Sequence, residues 1–197
     1  MVKLVEVTSK EGLSMLSKEI YLKEVAGSLA LLSKEVTILN AVNLYDINIV
    51  AEDFFPGLLN LIYGYKLKNA NYLEKNAPAI DLFDKINKIA VQVTSDNSSK
   101  KINHTIEEFN KNESYKIYNR LIIFILIQKK KYTTEFNTDG KFVFDKTKDI
   151  WDVEDLIKDI RELDTDQIKK SAVIYQRNYV TNTMQLKKRR PVRLIPL

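Results

Sequence analysis

Pro78-Ala-Ile-Asp-Leu-Phe-Asp-Lys-Ile-Asn-Lys-Ile-Ala-Val-Gln-Val-Thr-Ser95 is the stretch that decides the fold. Apolar and other residues alternate in both of its halves, which predicts two short strands with one apolar face each. A two-residue turn at positions 86–87 joins the strands into a hairpin. In that register Ile80 faces Val93 and Leu82 faces Val91 on the apolar side.

Three polar side chains converge on the other face of the predicted hairpin. The same register places Asp81 opposite Gln92, with Thr94 two residues further along. A one-residue slip would pair Ile80 with Gln92 and bring a polar amide onto the apolar face, which argues against that slip. The hairpin does not need these three polar side chains to pair its strands or to pack its apolar face. The sequence therefore predicts a functional site at these residues.

The composition is that of a globular protein. The 197 residues are 45% hydrophobic and 29% charged, which is enough chain for one domain with a sizeable core. The absence of cysteine excludes disulfides and thiolate metal sites, and a single histidine, His104, argues against a zinc site or a histidine-based triad. The first ten residues do not resemble a signal peptide, and the longest apolar run, residues 121–127, is too short to span a bilayer. We therefore expect a cytoplasmic protein with no membrane partner.

The net charge of +5 comes from the C-terminal end of the chain. Residues 187–193 contain five of the 31 Lys and Arg residues and no acid, which leaves 26 basic residues against 26 acidic residues elsewhere. Such a segment can bind phosphates, but an exposed linker has the same composition. We predict a single domain over residues 1–180 and a basic tail or linker over residues 181–197.

Two helices are predicted before the hairpin. Apolar residues recur at helical spacing over residues 10–43, which is typical of a core-facing side. A second helix is predicted over residues 47–63, with Asp46 as its N-cap and a kink or restart at Pro56-Gly57. Glu52 lies between apolar turns of this second helix. It points either to solvent, which periodicity alone favours, or to a polar site.

The second half of the chain predicts three helices and two strands. A short helix with His104 on its polar side comes first. An apolar run typical of a strand buried on both faces follows, then another short strand, and then two helices that begin at N-caps. The predicted elements are helix 100–111, strand 120–128, strand 142–144, helix 153–163 after Asp152, and a helix from Asp164 or Thr165 towards Tyr179.

The predicted order is helix, helix, strand, strand, helix, strand, strand, helix, helix. This order predicts an α/β sandwich in which helices cover both faces of a mixed sheet. The five glycines form no phosphate-binding loop after a strand, which argues against a Rossmann-type nucleotide enzyme.

Several segments combine an acid on a helix, two strands with polar residues, and a following helix and apolar strand. The segments are Asp46-Ile-Asn-Ile-Val-Ala-Glu-Asp-Phe-Phe, Leu58-Leu-Asn, Ile80-Asp-Leu, Val91-Gln-Val-Thr-Ser, Lys101-Ile and Ile150-Trp-Asp-Val-Glu-Asp-Leu, within residues 13–168. Taken together they resemble the SMEK domain, a prokaryotic variant of the restriction-endonuclease-like (PD-(D/E)xK) fold. The resemblance implies a restriction-endonuclease-like sandwich, a mixed sheet flanked by helices with a helical N-terminal extension, usually at the N-terminus of larger proteins in predicted prokaryotic defence systems.

The resemblance also implies a catalytic site. In nucleases of this fold, carboxylates on adjacent strands hold Mg²⁺, which positions and activates the water that attacks a phosphodiester. A lysine stabilises the charge that develops. Asp81 stands at the family's metal-binding aspartate and Glu52 at the helical acid. The implied metal ligands are Asp81, Glu52 and Gln92.

Two strand positions depart from the family pattern. Gln92 replaces the second strand acid, and Thr94 stands where the lysine is expected. A glutamine carbonyl oxygen can ligate a hard cation but brings no charge, so metal affinity should fall. Some members of the fold carry the lysine on the following helix, so Lys101, ahead of Lys100, is the expected cation.

Two functions of different class follow from the resemblance. The first is a Mg²⁺-dependent nuclease module that acts on DNA in a prokaryotic defence system. The second is a catalytically inactive nuclease-fold domain that binds nucleic acid or a partner protein as a sensor or docking module. Retention of Glu52, Asp81 and Lys101 favours the first, and the residues at positions 92 and 94 favour the second. DNA is the expected partner, while an effector protein and a homodimer stay open.

Overall fold

A five-stranded mixed sheet with helices on both faces forms the centre of the structure, a computed structural model that describes residues 10–70 and 80–180. The predictions for residues 71–79 and for the tail at 181–197 lie outside the described residues. The strands are β1 (Lys68–Asn69), β2 (Leu82–Asp84), β3 (Ile89–Thr94), β4 (Arg120–Ile125) and β5 (Ile150–Asp152). The helices are α1 (Lys10–Ala41), α2 (Asp46–Tyr63), α3 (Ser99–Lys111), α4 (Val153–Glu162) and α5 (Thr165–Ile174), with a 3₁₀ turn at Ser114–Lys116 and a π-helical segment at Tyr175–Val180.

The sheet confirms the predicted α/β class and its mixed strand pairing. Its order is β1-β2-β3-β4-β5, in which β1 to β3 pair antiparallel and β3 to β5 pair parallel. Helix α3 connects β3 to the parallel strand β4. The remaining helices pack on the opposite face, where their apolar residues join those of β3 and β4 in the larger of two cores.

The predicted strand at residues 142–144 is wrong, because β5 pairs with β4 instead. The rings of Phe142 and Phe144 pack from a loop, with their centroids 4.9 Å from Phe109 and 5.8 Å from Phe136. The pattern at residues 142–144 that predicted a strand therefore reflects the packing of these two rings. The strand β5 is only three residues long, which is too short for a periodic signal.

The hairpin register around Leu82 is confirmed, since Leu82 lies opposite Val91. The predicted two-residue turn is wrong: four residues, 85–88, connect the paired residues Asp84 and Ile89. The Asp84 carboxylate closes this turn by accepting hydrogen bonds from backbone N–H groups within it, at 2.9 and 3.0 Å. Aspartate stabilises turns in this way because its short side chain reaches the following amides.

The predicted pairing of Ile80 with Val93 is also wrong. The Asp81 N–H donates to Val91 O at 3.0 Å, so Asp81 and Leu82 both oppose Val91, as in a β-bulge. The extra residue reverses the side-chain alternation. Ile80 consequently joins the smaller core on the α3 side, whereas Val93 belongs to the larger core.

Both predicted N-terminal helices are present, but α2 differs from the prediction in its cap and in its course at Pro56. Helix α2 begins at Asp46 after Tyr45, and no side-chain hydrogen bond caps it, so the predicted N-cap role of Asp46 is wrong. The helix runs on through Pro56, which the sequence predicted as a kink or restart. Gly64 ends α2 with φ of 69°, a left-handed conformation that glycine adopts without strain.

Helices α4 and α5 begin where the sequence predicts, and α3 begins one residue earlier than predicted, at Ser99. The Ser98 hydroxyl accepts from Lys101 N–H at the start of α3. Asp152 and Asp164 each form a capping box at the start of α4 and α5. Within residues 10–70 and 80–180, no helix combines the length and hydrophobicity that a membrane crossing requires.

Candidate active site

Glu52 lies on α2 at a partly buried position, so the solvent-pointing alternative does not hold. Its neighbours on the helix, Ala51 and Phe55, belong to the larger core, which fixes the direction of the side chain. Burial, together with the negative charges of Asp81 and Asp53, raises the pKa of Glu52 to about 7. Glu52 and Asp81 are therefore close enough for their charges to interact.

Asp81 replaces a backbone acceptor directly before β2 begins. Its Oδ2 accepts a hydrogen bond from Val93 N–H at 2.7 Å and another from Gln92 Nε2. Burial raises the pKa of Asp81 to about 6, although the Val93 N–H, the Lys101 charge and Gln92 act in the opposite direction. The effect of burial on this pKa is larger than the combined effect of the three groups. The hydrogen bonds and the lysine charge therefore do not fully offset the hydration that the ionised Asp81 carboxylate loses.

Lys101 is the cation at this site. Its ammonium lowers the pKa of Asp81, whereas Lys100 is exposed and is not among the groups that act on Asp81. The Ser98 N-cap fixes the first turn of α3 and so fixes the side on which Lys101 projects. The sequence favoured Lys101 over Lys100 for this position, and Lys101 is the lysine whose charge acts on the pKa of Asp81.

Gln92 lies on β3 facing the α3 side, since it alternates with Val91 and Val93 of the larger core. Its Nε2 donates to the Asp81 carboxylate and to Val93 O, the latter at 3.1 Å. Two acceptors on one side fix the amide with its nitrogen towards Asp81. In this orientation Gln92 is a hydrogen-bond donor to Asp81, and its carbonyl oxygen points elsewhere.

Thr94 is the residue that the structure does not bring into this group. It lies on the same side of β3 as Gln92, but its Oγ1 accepts from Asp96 N–H at 3.0 Å. That bond shapes the turn between β3 and α3. Within the described residues, no contact joins Thr94 to Glu52 or Asp81.

Sequence reasoning missed two polar residues beside the site. Asp53 raises the pKa of Glu52, and its Oδ1 accepts from Asn69 Nδ2 at 2.9 Å. Asn69 is buried on β1, so this bond ties α2 to the edge of the sheet. The adjacent acids at positions 52 and 53 were visible in the sequence. The two-residue strand that supplies Asn69 was not.

The carboxylates of Glu52 and Asp81 can supply only part of the ligands that a divalent cation needs. Mg²⁺ is usually held by one or two carboxylates together with substrate phosphates, and Glu52 and Asp81 are two carboxylates whose charges interact. Among the described residues, the two hydrogen bonds to the Asp81 carboxylate both end on Oδ2. In the part of the chain that the structure describes, no three Asp, Glu or His side chains converge to hold a metal ion by themselves.

A separate cavity of about 270 Å³ lies away from this group, between α1 and the start of α4. Ser33, Lys34 and Thr37 line it on one side and Gln128 and Glu154 on the other. Its polar groups already have local partners, such as the Gln128 Nε2 bond to Glu154 at 3.1 Å. We therefore place the candidate site at Glu52 and Asp81.

Comparison with known proteins gives one result. The family model of the SMEK domain matches residues 24–161, a range that includes every residue of the candidate site. No curated protein and no solved structure matches the chain.

Proposed function

The chain belongs to the SMEK domain family, and we propose that it is a metal-dependent nuclease module with a restriction-endonuclease-like fold that acts on DNA in a prokaryotic defence system. The observation that carries the proposal is the meeting of three charged residues from three elements. Glu52 comes from α2, Asp81 from the bulge before β2, and Lys101 from the first turn of α3. A hairpin needs none of these charges to fold.

The electrostatics of the pair support a bound cation. Burial is the largest cause that raises the pKa values of Glu52 and Asp81, to about 7 and about 6, so each is harder to ionise than an ordinary carboxyl group. A divalent cation between them would offset both the lost hydration and their mutual repulsion. Raised pKa values of neighbouring acids are typical of functional sites.

The residues have separate roles in this proposal. The Asp81 and Glu52 carboxylates would hold Mg²⁺, which would supply a polarised water and a contact to the scissile phosphate. Lys101 faces the same group and stabilises negative charge on the phosphate. Gln92 orients Asp81 through its hydrogen bond to Oδ2 and ligates no metal in the observed amide orientation.

The second candidate function is a catalytically inactive domain that binds nucleic acid or a partner protein. The bond from Gln92 Nε2 to Asp81 favours it, because a donor stands where the family carries a second acid. An amide satisfies the buried carboxylate without a metal. Asp81 would then act only as the acceptor that ends the β2–β3 ladder.

Cleavage of plasmid DNA by the full chain, with Mg²⁺ or Mn²⁺ against chelator, tests the nuclease proposal. Asp81→Asn should lower the rate at least about a hundredfold, because the metal loses its main anionic ligand. Lys101→Ala should lower turnover while Mn²⁺ affinity by calorimetry stays within about threefold of the parent value. Lys100→Ala is the matched control, an exposed lysine one position away that should leave both quantities unchanged.

Gln92→Glu separates the two functions. In the nuclease it restores an acid beside Asp81 and should tighten Mn²⁺ binding. No Mn²⁺ binding by the parent or by this variant, together with no cleavage, would contradict the nuclease proposal. DNA binding by fluorescence anisotropy under those conditions would then support the binding domain.

A further inference from the structure

Helix α1 carries apolar residues on two opposite faces. Its inner face packs into the larger core through Val25, Leu29, Leu32 and Val36, all at most 2% exposed. A second set points away from the domain, with each member 54–61% exposed. We call this set the outer stripe: Leu16, Ile20, Leu31, Ile38 and, one residue past the end of the helix, Val42.

The outer stripe is straight along the helix. At 3.6 residues per turn its members fall within a sector of about 80°, opposite the inner face. The spacing repeats every eleven residues, from Leu16 to Gly27 to Ile38 and from Ile20 to Leu31 to Val42. An eleven-residue repeat keeps a stripe in line on an α-helix over many turns, which is the property that a second long helix requires. Gly27, at the centre, allows close approach.

The exposed area is that of an interface. Five residues more than half exposed present about 500 Å² of mainly apolar surface, the upper end of what a monomer usually leaves in one patch. Pairing two such stripes removes about 1,000 Å² from water, and the flanking side chains bring the total into the range of a stable dimer, which begins near 1,200 Å². The stripe together with its flanking side chains is therefore large enough to hold a second copy.

Charges along the borders fit a second copy in one orientation. Lys23 and Lys34 lie along one border of the stripe, and Glu24 and Glu35 lie along the other. Glu24 also accepts a hydrogen bond from Gln176 Nε2 at 2.9 Å, which holds it on that side. A parallel pair places the lysine border of one helix against the glutamate border of the other on both sides. An antiparallel pair would place like charges together, so charge sets the orientation.

We propose that two copies of the chain associate through their outer stripes, with the α1 helices parallel. The dimer rests on α1 alone and is independent of the proposed nuclease function. The first two turns of the stripe precede the family match at residue 24. Leu31, Ile38 and Val42 lie within that match.

Sedimentation equilibrium of the full chain tests the dimer. Leu31→Glu places two buried charges in the interface and should weaken the dimer at least about tenfold. Ile117→Glu is the matched control, because Ile117 is 53% exposed and follows the 3₁₀ turn at Ser114–Lys116, far from α1 in sequence. It should leave the dimer unchanged. Circular dichroism melting should show that both variants fold, since neither residue is buried.

A cysteine introduced into this cysteine-free chain tests the orientation. Ile20→Cys should form a disulfide-linked dimer under mild oxidation, since equivalent positions meet in a parallel pair, and Ile117→Cys should not. Dimer formation lost with Leu31→Glu and cross-linking through position 20 would support the proposal. A monomer at every concentration, a dimer that Leu31→Glu leaves intact, or a dimer without that cross-link would overturn it.

Discussion

Glu52 and Asp81 make the fold less stable as pH rises, and Glu52→Gln should remove much of this dependence. Both acids have folded-state pKa values above their ordinary values of 4.5 and 3.8, at about 7 and about 6. The folded protein therefore holds these protons more tightly than the unfolded chain does. Their contribution to stability is fully present below the unfolded pKa values and is lost as pH rises through the folded ones.

The expected magnitude follows from these pKa values. Between pH 5 and pH 8, Asp81 accounts for a loss of about 1.5 kcal/mol of unfolding free energy. Glu52 is partly exposed, so solvent screening reduces its share to about 1 kcal/mol. The parent protein should thus lose about 2–3 kcal/mol over this range. Acids with lowered pKa values, such as Asp84 and Asp155, act in the opposite direction as pH falls below 5, outside this window.

Urea unfolding at pH 5, 6, 7 and 8, at constant ionic strength with chelator present, measures this loss. Glu52→Gln should reduce it by about 1 kcal/mol and raise stability at pH 8. Glu107→Gln replaces an exposed glutamate of α3 and should follow the parent curve. A parent stability that is flat or rises between pH 5 and pH 8 would refute the electrostatic account of the site.

Two further substitutions test how the site and its surroundings are held. Asp81→Ala should cost about 1–3 kcal/mol in urea unfolding at pH 5, since Val93 N–H loses its acceptor, and an unchanged midpoint would contradict this role. Asp152→Ala should cost more than Asp164→Ala, which should cost about 1 kcal/mol as a helix cap. Asp152 is 2% exposed and also accepts from Lys129 N–H at 2.9 Å, so equal thermal shifts in the two variants would show that this extra bond contributes nothing.

Periodicity and capping residues carried most of the fold prediction. The long helices and the apolar strand β4 have many residues per element, so their patterns stand out from composition. The helix starts at Asp152 and Asp164 were readable because each capping residue bonds to the first turn of its own helix. Strands β1 and β5 were missed because two or three residues contain no period, and their pairing depends on distant segments.

The site was partly predictable for a related reason. Asp81 and Gln92 meet because they flank one hairpin, and a register error of one residue would have buried polar groups. The bulge at Asp81 could not be predicted, since it depends on Asp81 replacing the backbone acceptor of Val93. Glu52 was assigned to the site only through the family resemblance. Helical periodicity predicts the face of α2 on which an acid lies, but it does not predict which residues pack against that face.

The two proposed functions differ in the role that they give to the hydrogen bond from Gln92 to Asp81. With this donor in place, Asp81 is satisfied on one oxygen and presents the other, so a metal would add to the observed arrangement rather than rebuild it. With glutamate at position 92, two carboxylates would meet at hydrogen-bonding distance and share a proton unless a cation separates them. Gln92→Glu should therefore be less stable than the parent in chelator at pH 8 and should recover with Mn²⁺. A stability loss that Mn²⁺ does not reverse would indicate that the glutamine serves the fold and that Asp81 holds no metal.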